Sequence, residues 1–280
     1  METNKQPKIS IVVPCYNGAK YIRETLDCLQ KQTIEDWECI IVNDGSTDKS
    51  LEILKEYAEK DPRYKYIDKK NEGPAIARNT AIAASLGKYI LPLDADDLIA
   101  PFYAEKAIDY LQNHPKCKVV YGEAEYFDGR TGVWELPEYN YDTELWKNSI
   151  FCTAVYRRLD YDKTIGYNPN MKFGNEDWDF WLSLLGADDE VYKIPNIVLY
   201  YRKHGVSHST DLFNNIKEAN RQMVLNHIDR YSPYFNDLFI LKHRNDYLEK
   251  EIRGLLNSKK YLLGRFLLSP LSFVRNFKIK

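Results

Sequence analysis

The chain reads as an α/β fold, a mostly parallel sheet flanked by helices and followed by a helical C-terminal extension. Three observations carry that expectation. Apolar, β-rich runs closed by turn residues recur at Ile9–Pro14, Trp37–Asn43 and Tyr89–Leu93, the pattern of strands buried on both faces. Helical periodicity fills the intervals, so strand and helix alternate from the first strand up to Pro101, which is how parallel sheets are built. From Asp211 onward the periodicity is helical with charged faces, and the expected boundary lies near Thr210: 1–210 as the main domain, 211–280 as the extension.

Each element has its own local reason. Proline closes the first strand, ISIVVP, and the loop Cys15–Lys20 leads into a helix around Tyr21–Gln30. The second strand ends at Asp44-Gly45-Ser46-Thr47, where Ser46 or Thr47 is placed to cap a helix over Asp48–Glu59. A short strand at Tyr64–Asp68 precedes Asn71-Glu72-Gly73-Pro74, with Pro74 in the first turn of a helix reaching Ser85. After the fourth strand, Tyr89–Leu93, a helix over Pro101–Asn113 and a strand over Lys118–Tyr126 follow, and Asp128-Gly129 signals a hairpin. The region Trp134–Arg158 is aromatic and irregular. In Asn175–Gly186, Trp178, Trp181, Leu182 and Leu185 are spaced for an amphipathic helix that Gly186 ends. Short strands at Val191–Ile194 and Ile197–Arg202 complete the domain.

Composition narrows the function. At 280 residues and 44% apolar the chain can bury a sizeable core. Its 39 basic and 41 acidic residues nearly cancel, which argues against a nucleic-acid partner. Five cysteines without a C-x-x-C pair read as reduced thiols, hence a cytoplasmic protein. No apolar segment precedes Ile9 and no run reaches the roughly 18 apolar residues of a membrane span, so neither a secretory signal nor a transmembrane helix is expected. Neither G-x-G-x-x-G nor G-x-x-x-x-G-K-S/T occurs, so phosphates, if bound, are held by a metal and side chains.

Acids mark the candidate site. The strand YILPLDADD ends in Asp94, Asp96 and Asp97, at the sheet edge where open α/β sheets bind ligands. Asp94 and Asp96 share a face if the strand persists, and oxygen-only donors suit Mg2+ or Mn2+; the plain alternative is a solvated turn capping the helix near Pro101. Asp44 ends an earlier strand, able to accept a base N–H or ribose hydroxyl, or simply to start a turn. Arg78 offers a partner for a diphosphate or for the acidic loops, and is otherwise a solvated helix arginine. Glu176 and Asp177 open their helix, where its dipole favours acids. Trp178 and Trp181 bring apolar surface that raises a carboxylate toward the pKa of a general base. His204, close to Arg202, is an imidazole suited to Mn.

Taken in order, ISIVVPCYNGAKYIRETLDCLQKQT, IIVNDGSTDKS, NEGPAIARNTAI, YILPLDADD, GNEDWDFWL and YYRKHGVSHS resemble the family-two glycosyltransferases of GT-A fold, across Ile9–Ser209. The resemblance implies a nucleotide-binding sheet and an inverting transferase that uses Mn2+ or Mg2+. Such an enzyme moves a hexosyl or N-acetylhexosaminyl group from a nucleoside diphosphate-sugar, with UDP the expected nucleotide. The implied acceptor is a hydroxyl of a glycan or glycolipid in bacterial surface-glycan assembly such as lipopolysaccharide. It puts Pro14, Tyr16 and Asp44 around the base and Arg78 near the nucleotide. Asp94 falls toward the ribose side, with Ala95 among the donor-nucleotide residues; Asp96 and Asp94 fall on the metal, His204 adds a ligand or touches the diphosphate, and Asp177 becomes the catalytic base with Glu176 beside it. Tyr167 is followed by Asn168-Pro169 where many relatives have Asp-Glu, so the acceptor side departs from the pattern.

Two other readings stand beside it. A sugar-nucleotide pyrophosphorylase calls for a glycine-rich basic loop after the first strand, and PCYNGAK has one Gly and one Lys. A non-catalytic sugar-nucleotide binding protein would lack the acids, all of which are present. The tail Tyr261–Val274, apolar between basic residues, suits peripheral contact with the anionic inner face of the cell membrane or docking on the domain.

Overall fold

The first four apolar runs form one side of a sheet in the computed structural model, which describes residues 6–203 and 208–258. β1 (Ile9–Cys15), β2 (Trp37–Asp44), β3 (Tyr64–Lys69) and β4 (Tyr89–Pro92) pair in parallel in the order β3-β2-β1-β4. The helices α1 (Ile22–Leu29), α2 (Ser50–Lys60) and α3 (Pro74–Ala83) are the crossovers. Nearly every residue of β1 and β2 is buried, as central parallel strands require. The chain builds β2 and β3 outward on one side of β1, then places β4 on the other. That change of direction opens a crevice at the carboxyl ends of β1 and β4.

The rest of the sheet is mixed. After β5 (Leu98–Ile99) and α4 (Tyr103–Asn113) come β6 (Cys117–Asp128), β7 (Gly132–Trp134), α5 (Tyr141–Glu144), β8 (Val155–Arg157) and α6 (Arg158–Tyr161). Then α7 (Glu176–Leu184) and β9 (Glu190–Lys203) follow. β8 is antiparallel to both β4 and β6, β9 is parallel to β6, and β5 is antiparallel to β9. β7 folds back on β6 through the turn expected at Asp128-Gly129. The two strands expected around Pro195 are one, β9, because register shifts at Gly122 and Glu123 of β6 absorb the proline.

Much of the aromatic load is core. Tyr167 stacks on Phe180 with centroids 4.5 Å apart, and Tyr156 meets Trp181 edge-on at 5.8 Å, so the ring cluster supports α7 from below. Gly174 (φ 105°) and Asn175 (φ 60°) turn the chain left-handed just before it. α8 (His208–Asn226) is fastened to α7: Asn226 Nδ2 donates to Asp179 Oδ1 at 2.7 Å and His227 Nε2 lies 3.1 Å from the same oxygen.

The chain divides into two units at His227/Ile228, later than the expected seam near Thr210, because α8 is anchored on the buried Asp179. The second unit holds α9 (Ile228–Tyr231), a 3-10 turn and α10 (Phe235–Leu256). Among the described residues no helix is long and apolar enough to cross a membrane. The tail segment Tyr261–Val274 lies outside them, as does His204.

Candidate active site

The crevice is edged by loops that hydrogen-bond to one another. Beyond β1, Tyr16 is 56% exposed, while Pro14, half-buried, pairs with Val42 of β2. Asn17 N–H donates to Ser46 Oγ at 2.9 Å, Thr47 N–H donates to Asn17 Oδ1 at 2.8 Å, and Ala19 N–H donates to Asp48 Oδ2 at 3.0 Å. Ser46 and Thr47 thus fasten the β1 loop and do not cap α2, as the sequence had suggested. The N-cap of α2 is Lys49, with no side-chain cap; Asp48, one residue earlier, accepts the Ser50 N–H at 2.9 Å.

Asp44 at the end of β2 is buried and shapes the next turn. Its Oδ1 accepts from Lys69 Nζ (2.7 Å) and Glu72 N–H (3.0 Å), and its Oδ2 from Gly73 N–H (2.8 Å). Gly45 permits this approach: at φ 73°, a Cβ there would sit 2.6 Å from Asn71 N. The turn so held delivers Pro74 to the start of α3, one turn before Arg78.

β4 stops at Pro92, and the acids that follow lie in a turn closed by Asp97 N–H to the Asp94 carbonyl at 3.2 Å. The strand alternation expected for Asp94 and Asp96 therefore does not apply; a turn groups them. Nor does this turn cap the next helix, since α4 begins at Tyr103 without a side-chain cap. Arg202 of β9 grips it from behind, donating through its backbone N–H to Asp97 Oδ1 (2.9 Å) and through Nε to the Asp96 carbonyl (2.8 Å). Thr25 Oγ1 donates to the Ala95 carbonyl at 3.0 Å.

Burial, then the charges of Asp96 and Asp94, push the Asp97 carboxyl well above the usual range against the pull of Arg202. Negative potential concentrated on oxygen donors fits a hard cation whose remaining ligands are phosphates and water. Among the described residues no three metal-ligating side chains form a closed cage, and Asp94 and Asp96 are the residues present that suit such an ion.

Arg78 joins this turn to α7. It is 3% exposed; its Nη2 donates to Asp94 Oδ1 and its Nη1 to Glu176 Oε1, both at 2.7 Å, and its guanidinium lies 5.5 Å from the Tyr167 ring centre. Of the readings open to this arginine, a partner for the acidic loops is the one its geometry shows. Asp177, next along α7, takes its own helix's Trp178 N–H on Oδ1 at 2.8 Å and the Asn148 side chain on Oδ2 at 3.4 Å. Burial, then the neighbouring charge of Glu176, push its carboxyl up to about 7, with Arg78 and the Trp178 N–H opposing.

The two tryptophans do more than supply apolar surface. Trp178 Nε1 donates to the Glu144 carbonyl at 2.6 Å and Trp181 Nε1 to the Ile150 carbonyl at 3.1 Å, so they strap the 144–150 segment over the start of α7. Cys152 follows that segment. Its thiol is pushed well up by burial and, against Arg78, by Asp94, Asp177 and Glu176, which places it among the site's acids. Asn148, Glu144 and Cys152 fall in the irregular Trp134–Arg158 stretch, where no periodicity or motif singles them out.

The model described as "Glycosyl transferase family 2" matches residues 10–179. Chondroitin synthase of Escherichia coli is 31% identical over 243 residues, covering 82% of this chain and 35% of that protein. An uncharacterized glycosyltransferase of Haemophilus influenzae is 27% identical over 293 residues, covering 95% and 89%. Among solved structures, S. aureus TarS 1-349 in complex with UDP-GlcNAc superposes with a TM-score of 0.62 at 25% identity, over 78% of this chain and 66% of that one.

Proposed function

The chain belongs to glycosyl transferase family 2, and from that premise we propose that it is a metal-dependent, inverting transferase moving a sugar from a UDP-sugar to an acceptor hydroxyl of a growing surface glycan. One observation carries this reading. A single buried guanidinium, Arg78, ties Asp94 on the donor side to Glu176, so that the neighbouring Asp177 stands across the crevice's acids as a proton acceptor. The UDP-GlcNAc complex of TarS favours uridine.

In this reaction Asp177 takes the proton of the acceptor hydroxyl as its oxygen attacks the anomeric carbon on the face opposite the diphosphate. The carbon–oxygen bond to the phosphate breaks, and its electron pair leaves with the nucleoside diphosphate. Pro14, Tyr16 and Asp44 hold the nucleoside, and Asp94 and Ala95 its ribose side. Glu176, paired with Arg78, fixes the base's helix. Asp96 and Asp94, with His204, would hold a Mn2+ or Mg2+ ion, which when bound supplies neutralising charge for the diphosphate.

A panel of UDP- and GDP-sugars with Mn2+, scored for nucleotide release with and without glycolipid acceptors, tests the proposal; release confined to GDP-sugars would overturn the uridine assignment. The basic, apolar tail fits an anionic membrane surface. Removing it before Lys259 should free the protein from anionic liposomes, and unchanged pelleting would argue for docking on the domain.

A further inference from the structure

We propose that Glu144 and Asn148 act as a positioning pair for Asp177, fixing the direction in which its carboxylate faces an acceptor hydroxyl. The inference rests on the reading of Asp177 as the base, and the geometry is local. Asn148 Oδ1 accepts the Ile150 N–H at 3.1 Å, which identifies the other end of the amide as the NH2 group aimed at Asp177 Oδ2 at 3.4 Å. With Oδ1 taken by the Trp178 N–H at 2.8 Å, each oxygen of the base has a donor that sets its orientation. The remaining lone pairs stay available for the incoming proton.

Glu144 holds the turn that presents Asn148. Its side chain, 2% exposed, accepts the Ser149 N–H on Oε2 at 3.0 Å, and its carbonyl accepts the Trp178 indole N–H at 2.6 Å. The turn is therefore fastened at both ends, by Glu144 to its own later residues and by Trp178 to α7. Glu144 Oε1 is buried with no hydrogen-bond partner among the described residues, an arrangement that disfavours the charged form. Consistently, burial and, beyond it, the charge of Asp177 push the Glu144 carboxyl up to about 7, the Ser149 hydrogen bonds opposing. Below that midpoint Glu144 is mostly neutral and shapes the loop without setting a second full negative charge against the base. Glu176, Arg78 and Asp94 are the other charged groups acting on Asp177.

The test is a carboxyl NMR titration of Asp177 in the full chain, its resonance assigned with Asp177→Asn, read beside UDP release from UDP-GlcNAc in Mn2+ with water as acceptor. Asn148→Ala should raise the Asp177 midpoint by about one unit and cut kcat at pH 6.5 about tenfold, with the KM for donor unchanged. Glu144→Ala should give the same displacement, and the double variant no more than either alone, the signature of one shared path. An Asp177 titration unmoved in a folded Asn148→Ala overturns the proposal even if Asp177→Asn is inactive. An active Asp177→Asn removes the base assignment itself, whatever the titration shows.

Discussion

Asp177 is the residue whose chemistry is most sensitive to its surroundings. Its carboxyl is lifted to about 7 by burial and by Glu176, and a base must be ionised to work. UDP release should therefore fall about tenfold per unit as pH drops below 7, and Asp177→Asn should lose at least about 100-fold in kcat while retaining UDP binding by calorimetry. Glu144 is lifted to about 7 as well, chiefly by burial. For both groups the folded pKa exceeds the ordinary carboxylate value of about 4. Their stabilisation is then complete below that value and is lost as pH rises through 7. Glu144→Gln should gain in unfolding midpoint relative to the parent across that window; a constant difference between them would contradict the shift.

At the scale of elements, Arg78 of α3 holds the β4 turn to α7. Its two carboxylate partners would be left facing each other without it, and removing one member of a buried ion network costs about 3–5 kcal/mol. Arg78→Met should show that loss in denaturant unfolding, together with weaker UDP binding as Asp94 is released. A second joint is Gly45, where a Cβ would collide with the Asn71 backbone at φ 73°. Gly45→Ala should destabilise by about 1–3 kcal/mol, and should loosen the turn that Asp44 organises. Neither effect is visible from strand and helix propensities, since both arise where separate loops touch.

For the whole molecule, every described candidate residue lies in the unit ending at His227. A chain cut after that residue should keep the parent's unfolding midpoint and UDP affinity; aggregation or lost binding would show that the later helices are needed for folding. The α/β alternation was legible because burial on both faces of a parallel strand demands uninterrupted apolar runs, and ISIVVP and its counterparts supply them. So was the position of Asp94, Asp96 and Asp97, because residues that follow such a strand lie at its carboxyl edge. Less legible was the 144–150 segment, whose importance comes from two indole N–H groups reaching it from α7 and from its own Asn148 amide reaching Asp177.

Local pattern by itself determined the order of the first four strands and their three crossover helices, the six motifs of a family-two transferase and the acids available for chemistry, since each depends on near neighbours along the chain. Tertiary structure alone decided that Arg78 is a buried link between Asp94 and Glu176, that Asp44 builds a turn, and that Asn148 reaches Asp177. Those facts depend on distances between residues far apart in sequence, and on the burial that makes a charge expensive unless another group answers it.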